Sequence, residues 1–312
     1  MSSTVHMSNI SETRTGLFCA LAAYASWGLM PIFFKSLAGV GAFEILAHRI
    51  IWSALLLLVI TAFSGRFSHL RRVFGQRKLL SILVVTSLLI GSNWPVYIVA
   101  VQHGEILQAS LGYFINPLAS VLLGRFLLGE QLRPLQWVSV ALAFAGVLCL
   151  AAALARIPWI SLFLAISFAL YGYFRKQSQA GPLEGLTVET LLLFVPAAGY
   201  LVYLALQGKG AFPGATQINL LLPFAGIATS VPLLLFAAAV QRLRLITIGL
   251  MQYIAPTISF LLAVFFYHES FGRVQLFSFS LIWSGLLLLA IDALRTYSQK
   301  QPVICEVARE SL

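Results

Sequence analysis

The stretch QASLGYFINPLASVLLGRFLLGE (residues 108–130) is long enough to cross a bilayer, carries a proline near its middle and ends in a single carboxylate. The chain repeats this design at IGLMQYIAPTISFLLAVFFYHE (248–269). Setting Pro117 on Pro256 also sets Ile115 on Ile254, Ser120 on Ser259, Phe126 on Phe265 and Glu130 on Glu269. The register continues past the helix end, pairing Gln136 with Gln275, Ser139 with Ser278 and Gly146 with Gly285. Two unrelated apolar helices share Leu and Ala through low complexity, but not Pro, Glu, Gln and Gly in one register. The chain therefore reads as an internal duplication, and a duplicated membrane chain is the build of transporters made from two halves.

Composition agrees. The 312 residues are 60% hydrophobic and 10% charged, against about 25% charged in a soluble domain. One core cannot hold that much apolar surface, so lipid must be the solvent for most of the exterior. The net charge of +10 would argue for nucleic acid only if it clustered on a soluble face; here the basic residues lie between apolar runs. Cys19, Cys149 and Cys305 are scattered and lack metal-like spacing, so neither a disulfide framework nor a zinc site follows. The run from Leu17 to Leu37 is too long for a cleaved signal core and reads as a retained first span.

Segments of about 20 apolar residues, the helix that a core of about 30 Å requires, occur ten times. They lie at 17–37, 43–63, 79–101, 105–128, 134–154, 158–177, 184–206, 218–240, 245–267 and 273–294. Links as short as 101–105 and 155–157 force antiparallel neighbours. Only helices satisfy their own backbone groups in lipid, so the fold class is all-α, a polytopic membrane protein. With the N-terminus inside, one side takes Arg14, the basic loop RFSHLRRVFGQRK (66–78), Arg125, Arg133, Arg175, Lys176, Arg242, Arg244, Arg295, Lys300 and Arg309. The other side takes only Lys35, Arg156, Lys209 and Arg273. This asymmetry puts both termini in the cytoplasm and accounts for the basic balance without nucleic acid. The basic loop reads as a topology anchor, with binding of anionic lipid as the alternative.

Division near Arg156 leaves five spans in each half. Because five is odd, the second half enters the membrane from the opposite side, which makes ten transmembrane helices in two inverted five-helix repeats. The expected layout is a polar cytoplasmic tail at 1–15, a first repeat at 16–155, a second at 156–295 and a cytoplasmic tail at 296–312 without ordered structure.

A transporter's site is expected near the bilayer middle, where polar groups are costly and broken helices expose backbone. In span two, Glu44, His48 and Trp52 share a face, and Arg49 lies too deep to reach the inner surface easily. An arginine there must face a wet cavity or a partner: it either recognises a carboxylate, which suits its fork, or forms an ion pair with Glu44 or Glu105. His48 reads as a hydrogen-bonding residue, although an imidazole's ordinary pKa also suits proton coupling. In span three, Pro95 bends the helix; Asn93 serves the freed carbonyl or faces substrate, while Trp94 and Tyr97 offer apolar walls with polar tips. TSVP (229–232) in span eight lies at comparable depth.

Span four carries Gln108, Gly112, Asn116, Ser120 and Gly124 at four-residue intervals. The lower part of this stripe reads as close helix packing. Gln108, Tyr113 and Asn116 near the proline are cavity candidates, with Gln252 and Tyr253 as their counterparts in span nine. Tyr24, Trp27 and Tyr171 would add aromatic walls. Glu130 and Glu269 read as caps of the next helix or partners of Arg133 and Arg273, and Asp292 as the partner of Arg295. No enzyme signature is present: His268-Glu269 lacks the second His of a zinc helix, and neither GxSxG nor a phosphate loop occurs. No catalytic residue, metal ligand or cofactor is therefore expected.

Taken together, AYASWGLMPIFFK (23–35), EILAHRIIWS (44–53), SNWPVYI (92–98), LQASLGYFINPLASVLLG (107–124) and the paired helix-end glutamates resemble the RarD permeases. These form part of the EamA branch of the drug/metabolite transporter superfamily. The resemblance runs from Gly16 to Ala293 and implies a ten-helix permease of the bacterial inner membrane with an inverted five-helix repeat. Members are often named for chloramphenicol sensitivity, which is not a substrate assignment, and the resemblance carries no settled site residues. The expected function is secondary, ATP-independent export or exchange of a small metabolite or drug by alternating access. Substrate would be bound by Trp27, His48, Arg49, Asn93, Trp94, Tyr97, Gln108, Tyr113, Asn116, Gln252 and Tyr253. Expected partners are a small-molecule substrate, carboxylate-bearing if Arg49 recognises it, and membrane lipid, but no nucleic acid; a homodimer is compatible with the sequence but unsupported by it. Two other readings stay open: a membrane-embedded sensor that moves nothing, and an intramembrane enzyme acting on lipid-linked substrate.

Overall fold

The computed structural model describes residues 2–37, 39–102, 106–152, 158–178, 180–267 and 272–310. Within these, the side chains of 2–11, 101–102, 106–110, 263 and 293–310 lie outside the description. The described residues form helices and no strands: α1 (Ser2–Ser36), α2 (Ala42–Phe63), α3 (Phe67–Gly75), α4 (Arg77–Gln102), α5 (Ile106–Phe126), α6 (Pro134–Ala152), α7 (Trp159–Gln177), α8 (Pro182–Leu206), α9 (Thr216–Arg242), α10 (Leu245–Met251), α11 (Ile254–Leu261), a π segment (Leu262–Phe266) and α12 (Arg273–Glu310).

Among the described residues, eight helices are long and apolar enough to cross a membrane, with α10 to the π segment counted as one. Ten spans were expected. The two not counted are α5 and α7, of 21 and 19 residues. Helix α7 ends in Arg175 and Lys176 and holds Ser161 and Ser167. It packs against α4, α5 and α9, and a helix shielded by neighbours needs less apolar surface than one facing lipid.

Three expectations change. The basic loop at 66–78 contains α3, because Phe67, Leu70, Val73 and Phe74 recur at helical spacing. Leu70 and Val73 are buried against Leu79, Leu83 and Val188, while Arg71 and Arg72 face outward. The segment after Tyr297 is helical to Glu310, and the polar N-terminal residues from Ser2 onward belong to α1. Extending an anchored helix adds one hydrogen bond for each residue fixed, without a new nucleus.

Polar contacts join helix ends into two groups. At one end, Glu12 pairs with Arg242 at 2.7 Å and Arg66 with Glu184 at 3.2 Å. Gln241 donates to the Ala180 carbonyl, Lys176 donates to the carbonyls of Val240 and Leu243, and Arg244 lies 3.9 Å from Glu130. At the other end, the Ala211 N–H donates to Glu44 at 2.6 Å, the His48 ring meets Phe212 at 5.1 Å, and Lys35 sits over the Tyr267 ring. The long helices therefore alternate in direction.

Long helices pack in defined pairs: α1 with α9 and α11, α7 with α4 and α5, α2 with α8 and α9, α8 with α4, α5 with α10, and α6 with α12. The α6–α12 contact is made by the residues that the duplication pairs. A Cβ on Gly146 would lie 2.7 Å from the Ser278 carbonyl, and one on Gly285 would lie 2.8 Å from the Ser139 carbonyl. Each glycine thus meets the repeat partner of the other's serine. Gly249 likewise has the Pro117 carbonyl at 2.8 Å from its would-be Cβ, so α10 rides directly on α5.

Gly146→Ala and Gly285→Ala should each cost about 1–3 kcal/mol by forcing two backbones apart, read as a lower unfolding temperature in detergent. Gly199→Ala, with nothing within 4 Å, should not lower it.

Candidate functional site

The centre of the bundle is built from helix breaks and small residues. Pro256 has no N–H to give the Gln252 carbonyl, which instead accepts from Ala255 N at 3.3 Å. The ninth expected span is therefore split between α10 and α11 at Gln252 and Tyr253, and it ends in the π segment, where Tyr267 N donates to Leu262 O at 3.0 Å. Its sequence counterpart α5 is continuous, although Pro117 lies inside it. Helix α5 closes on Gly129 at φ 65°, with Glu130 N donating back to Gly124 O at 3.0 Å, a turn that glycine adopts without strain.

Beside this line lies a narrow recess lined by Asn93, Gly112, Tyr113, Asn116, Leu164 and Phe168. It lies where α4, α5 and α7 meet, between parts of the chain on either side of the expected division. Gly112 allows the approach, since a Cβ there would lie 3.1 Å from the Ser161 carbonyl of α7. Asn93 donates to the Leu164 carbonyl at 3.0 Å and to the Ser167 hydroxyl at 2.8 Å. It therefore ties α4 to α7 and does not serve the carbonyl freed by Pro95. Asn116 is buried and accepts a long bond of 3.4 Å from Ser120, the next polar residue of its stripe.

Arg49 reaches towards the same region from α2. Its Nε donates to Thr229 Oγ1 of α9 at 2.8 Å. The guanidinium sits 5.0 Å from the Trp94 ring centroid and 5.5 Å from that of Phe34, a cation–π setting on two sides. The phenols of Tyr97 and Tyr113 are near enough to interact with its charge, and their rings meet edge to face at 5.6 Å. Arg49 is partly exposed, and no described carboxylate forms an ion pair with it. Glu44, one of the two expected partners, is committed to the Ala211 N–H; Glu105 lies outside the described residues. Trp27 completes a wall, packing on Phe168 at 5.7 Å and Phe236 at 5.6 Å.

Arg49, Asn93, Trp94, Tyr97, Tyr113, Asn116 and Trp27 thus lie on or next to one recess. Others do not join it. His48 faces Phe212 at the bundle end. Tyr253 donates to the Phe114 carbonyl at 3.2 Å and packs with Phe279 on the opposite side of α5. Gln252 is buried at the α10–α11 break. The side chain of Gln108 and all of Glu269 lie outside the described residues. Tyr171 binds Glu189 rather than lining the recess. Sequence reasoning missed Phe168, Leu164 and Thr229 as site residues, although TSVP marked the depth of Thr229.

Glu130 behaves differently from the expected cap of the following helix. Its carboxylate accepts from Leu245 N at 2.7 Å and Ile246 N at 2.9 Å, the free donors of α10. It caps a helix far along the chain. Arg133 pairs with Asp292 at 3.0 Å; the expected Asp292–Arg295 pair involves a side chain outside the described residues.

Residues 14–152 match the EamA-like transporter family. The chain is 43% identical to Protein RarD of Streptomyces exfoliatus, over 92% of this chain and 91% of that protein. It is 42% identical to an uncharacterized transporter of Vibrio cholerae, over 91% of this chain and 94% of the relative. The chain belongs to the RarD group of the EamA-like transporter family. It is accordingly a membrane transporter and not an enzyme. One crystal structure has the same fold at a TM-score of 0.68 and 20% identity, covering 92% of this chain and 98% of that chain. In this RarD-type chain, Asn93 ties α4 to α7 beside the recess, and Arg49 ties α2 to α9 while its charge has no ion-pair partner among the described residues.

Asn93→Ala should cost about 1–3 kcal/mol of stability, because it leaves a buried carbonyl and hydroxyl short of a donor. Asn116→Ala, which gives up only a long bond to Ser120, should cost less than about 1 kcal/mol. Unfolding of the two variants in detergent compares them directly.

Proposed function

We propose that this transporter is a secondary, ATP-independent carrier of the bacterial inner membrane that exports or exchanges a small metabolite or drug bearing a carboxylate or similar anionic group. The observation that carries the reading is Arg49. It is a cation inside a membrane span, held by Thr229 and two aromatic faces, without a carboxylate partner among the described residues. Such a fork is set for an anion from outside the protein. The recess beside it is narrow, with little room for anything larger than water as the helices stand. That fits a conformation closed around the site. Trp27, Trp94, Tyr97, Tyr113 and Asn116 would form the walls.

Transport is proposed to proceed by alternating access between two inverted five-helix halves, residues 16–155 and 156–295, with both termini in the cytoplasm. The pairing of helices supports this. Advancing each span by five turns α1–α9 into α7–α4, α1–α11 into α7–α5 and α2–α9 into α8–α4, all of which are packed pairs. Among the other close pairs, α2–α8, α5–α10 and α6–α12 map onto themselves, whereas α7–α9 has no packed counterpart. The two helix-start glutamates support it too: Glu44 of α2 holds the loop after α8, and Glu184 of α8 holds the loop after α2. The match of 14–152 to the family fits a five-span unit. Bending near Pro95, Pro117, Pro232 and Pro256 would let one half rock against the other.

The test is counterflow in proteoliposomes with labelled amino acids, organic anions and chloramphenicol. The expected result is saturable exchange of a carboxylate-bearing solute that falls about 10-fold or more in Arg49→Gln, the loss of one charge-assisted hydrogen bond. Exchange unaffected by the substitution would remove Arg49 from the site. Absence of exchange for every solute, with folded protein, would favour a ligand sensor. A cysteine at Asn116 labelled from one side only, under all conditions, would rule out alternating access.

A further inference from the structure

The position that Arg49 holds in the first half is held in the second by a carboxylate. Setting Gly41 on Gly181 aligns GAFEILAHR (41–49) with GPLEGLTVE (181–189), placing Glu44 on Glu184, Leu46 on Leu186 and Arg49 on Glu189. The surroundings correspond as well. Arg49 of α2 bonds to a threonine of α9, Thr229, and Glu189 of α8 bonds to a threonine of α4, Thr86. The pairs α2–α9 and α8–α4 are the ones that exchanging the halves interconverts. Only the sign of the charge is reversed.

Glu189 is 1% exposed. The Tyr171 hydroxyl donates to its Oε2 at 3.2 Å. Thr86 Oγ1 lies 2.6 Å from its Oε1 and 3.0 Å from the Leu83 carbonyl. A hydroxyl has one hydrogen to give. With Glu189 ionised, Thr86 donates to the carboxylate. With Glu189 protonated, the carboxyl donates to Thr86 and Thr86 donates to Leu83, so the same atoms satisfy both forms without moving.

The counter-charge is equally unusual. Arg175 is also 1% exposed, and its Nη1 is 3.7 Å from Glu189 Oε1, beyond hydrogen-bond length. Its Nε, Nη1 and Nη2 are all buried without a hydrogen-bond partner. Gly185 makes room for it, since a Cβ there would collide with the guanidinium. A pair serving only to fasten α7 to α8 would close into a bidentate bond. This one is held close and left open.

Other charged groups on the packed helices are engaged elsewhere. Glu184 pairs with Arg66, Lys176 with the carbonyls of Val240 and Leu243, and Arg242 with Glu12. Glu44 and His48 contact Ala211 and Phe212 at the far end, and Arg49 bonds to Thr229. His69, Arg71, Arg72, Arg77 and Lys78 are exposed. Arg175 and Tyr171 are thus the titratable groups that face Glu189.

We propose that Glu189 is the proton-binding residue of this transporter, and that the ion coupled to solute movement is a proton. The proposal rests on the transporter reading above. In one conformation the carboxylate takes a proton from water on one side of the membrane; in the other it returns that proton to water on the opposite side. Arg175 stays charged throughout. When Glu189 is neutral, Arg175 is a buried cation without compensation, and this favours the rearrangement that exposes it or restores its partner.

The test uses the full chain in proteoliposomes. Infrared difference spectra on acidification should show a protonated-carboxyl band that is missing in Glu189→Gln. With the solute found by counterflow, Glu189→Gln should keep exchange but lose accumulation driven by a pH gradient. If the variant does not fold, Arg175→Gln combined with Glu189→Gln, which leaves no lone buried charge, takes its place. An unchanged carboxyl band in the variant, or gradient-driven accumulation equal to native, overturns the proposal. So does native protein that exchanges solute but never accumulates it against a pH gradient. If native protein exchanges no solute at all, the transporter reading fails, and the infrared band alone then decides whether Glu189 binds a proton.

Discussion

Hydrocarbon offers no hydrogen bonds, so each polar group that this chain carries into its bundle must find its partner within the protein. A carboxylate cannot be served by its own helix's carbonyls and must find its partner on another segment. The carboxylates show how far that constraint reaches. Glu44 binds the Ala211 N–H, Glu130 the first free donors of α10, Glu184 the Arg66 guanidinium and Glu189 the Thr86 hydroxyl. In each case a residue before 155 meets one after it. The polar bonds of the bundle are therefore also the bonds between its two parts, and satisfying the backbone and fixing the helix arrangement are one problem.

Four ion pairs among the described residues gather at one end of the bundle. Glu12–Arg242, Arg66–Glu184, Glu130–Arg244 and Arg133–Asp292 all join the two parts, and all involve residues at or near the same end of the bundle. At the opposite end the described links include a backbone N–H on Glu44, the Gln217 amide donating to the Ser36 carbonyl, a ring contact of His48 and the Lys35 ammonium over Tyr267. Exposed ion pairs are each worth little, about 0–1 kcal/mol, but a set of them must break together if that end is to part. The glycine contacts add to the resistance. With α6 and α12 in backbone contact at Gly146 and Gly285, that pair serves as a hinge more readily than as a gate.

What was legible in the sequence was what repeats or recurs at helical spacing. The register that paired Ser139 with Ser278 and Gly146 with Gly285 named the very residues that meet across α6 and α12. The position of Arg49 announced a cation inside a span, and the small-residue stripe of α5 announced close packing. What stayed hidden was which distant helix answers each charge. Asp292 pairs with Arg133, at the start of a helix far along the chain, because α6 and α12 are packed side by side. Arg175 reads as one more basic residue at a cytoplasmic helix end, and its burial depends on Gly185 lacking a side chain on a neighbouring helix. Local spacing holds no trace of either fact. Helix α3 was missed for another reason: four apolar positions within nine residues were outweighed by their basic neighbours.

On the proposed two-repeat reading, the halves start equal and would carry the same charge at equivalent places. The place after the helix-start glutamate is instead Arg49 in one half and Glu189 in the other. Two buried cations, or two buried anions, would each need a counter-charge and would each attract the same kind of ligand. Opposite charges divide the work. The cation stays open beside the recess, where a solute can neutralise it, while the anion is enclosed with its own cation and two hydroxyls. The asymmetry follows from what each environment tolerates: a guanidinium keeps its charge and must be answered by a partner, whereas a carboxylate can answer burial by taking a proton. On the proposed function, a repeat that keeps its packing symmetric and breaks its charge symmetry at one pair of positions would have, in one bundle, a site for an anionic solute and a separate site that can change its own charge.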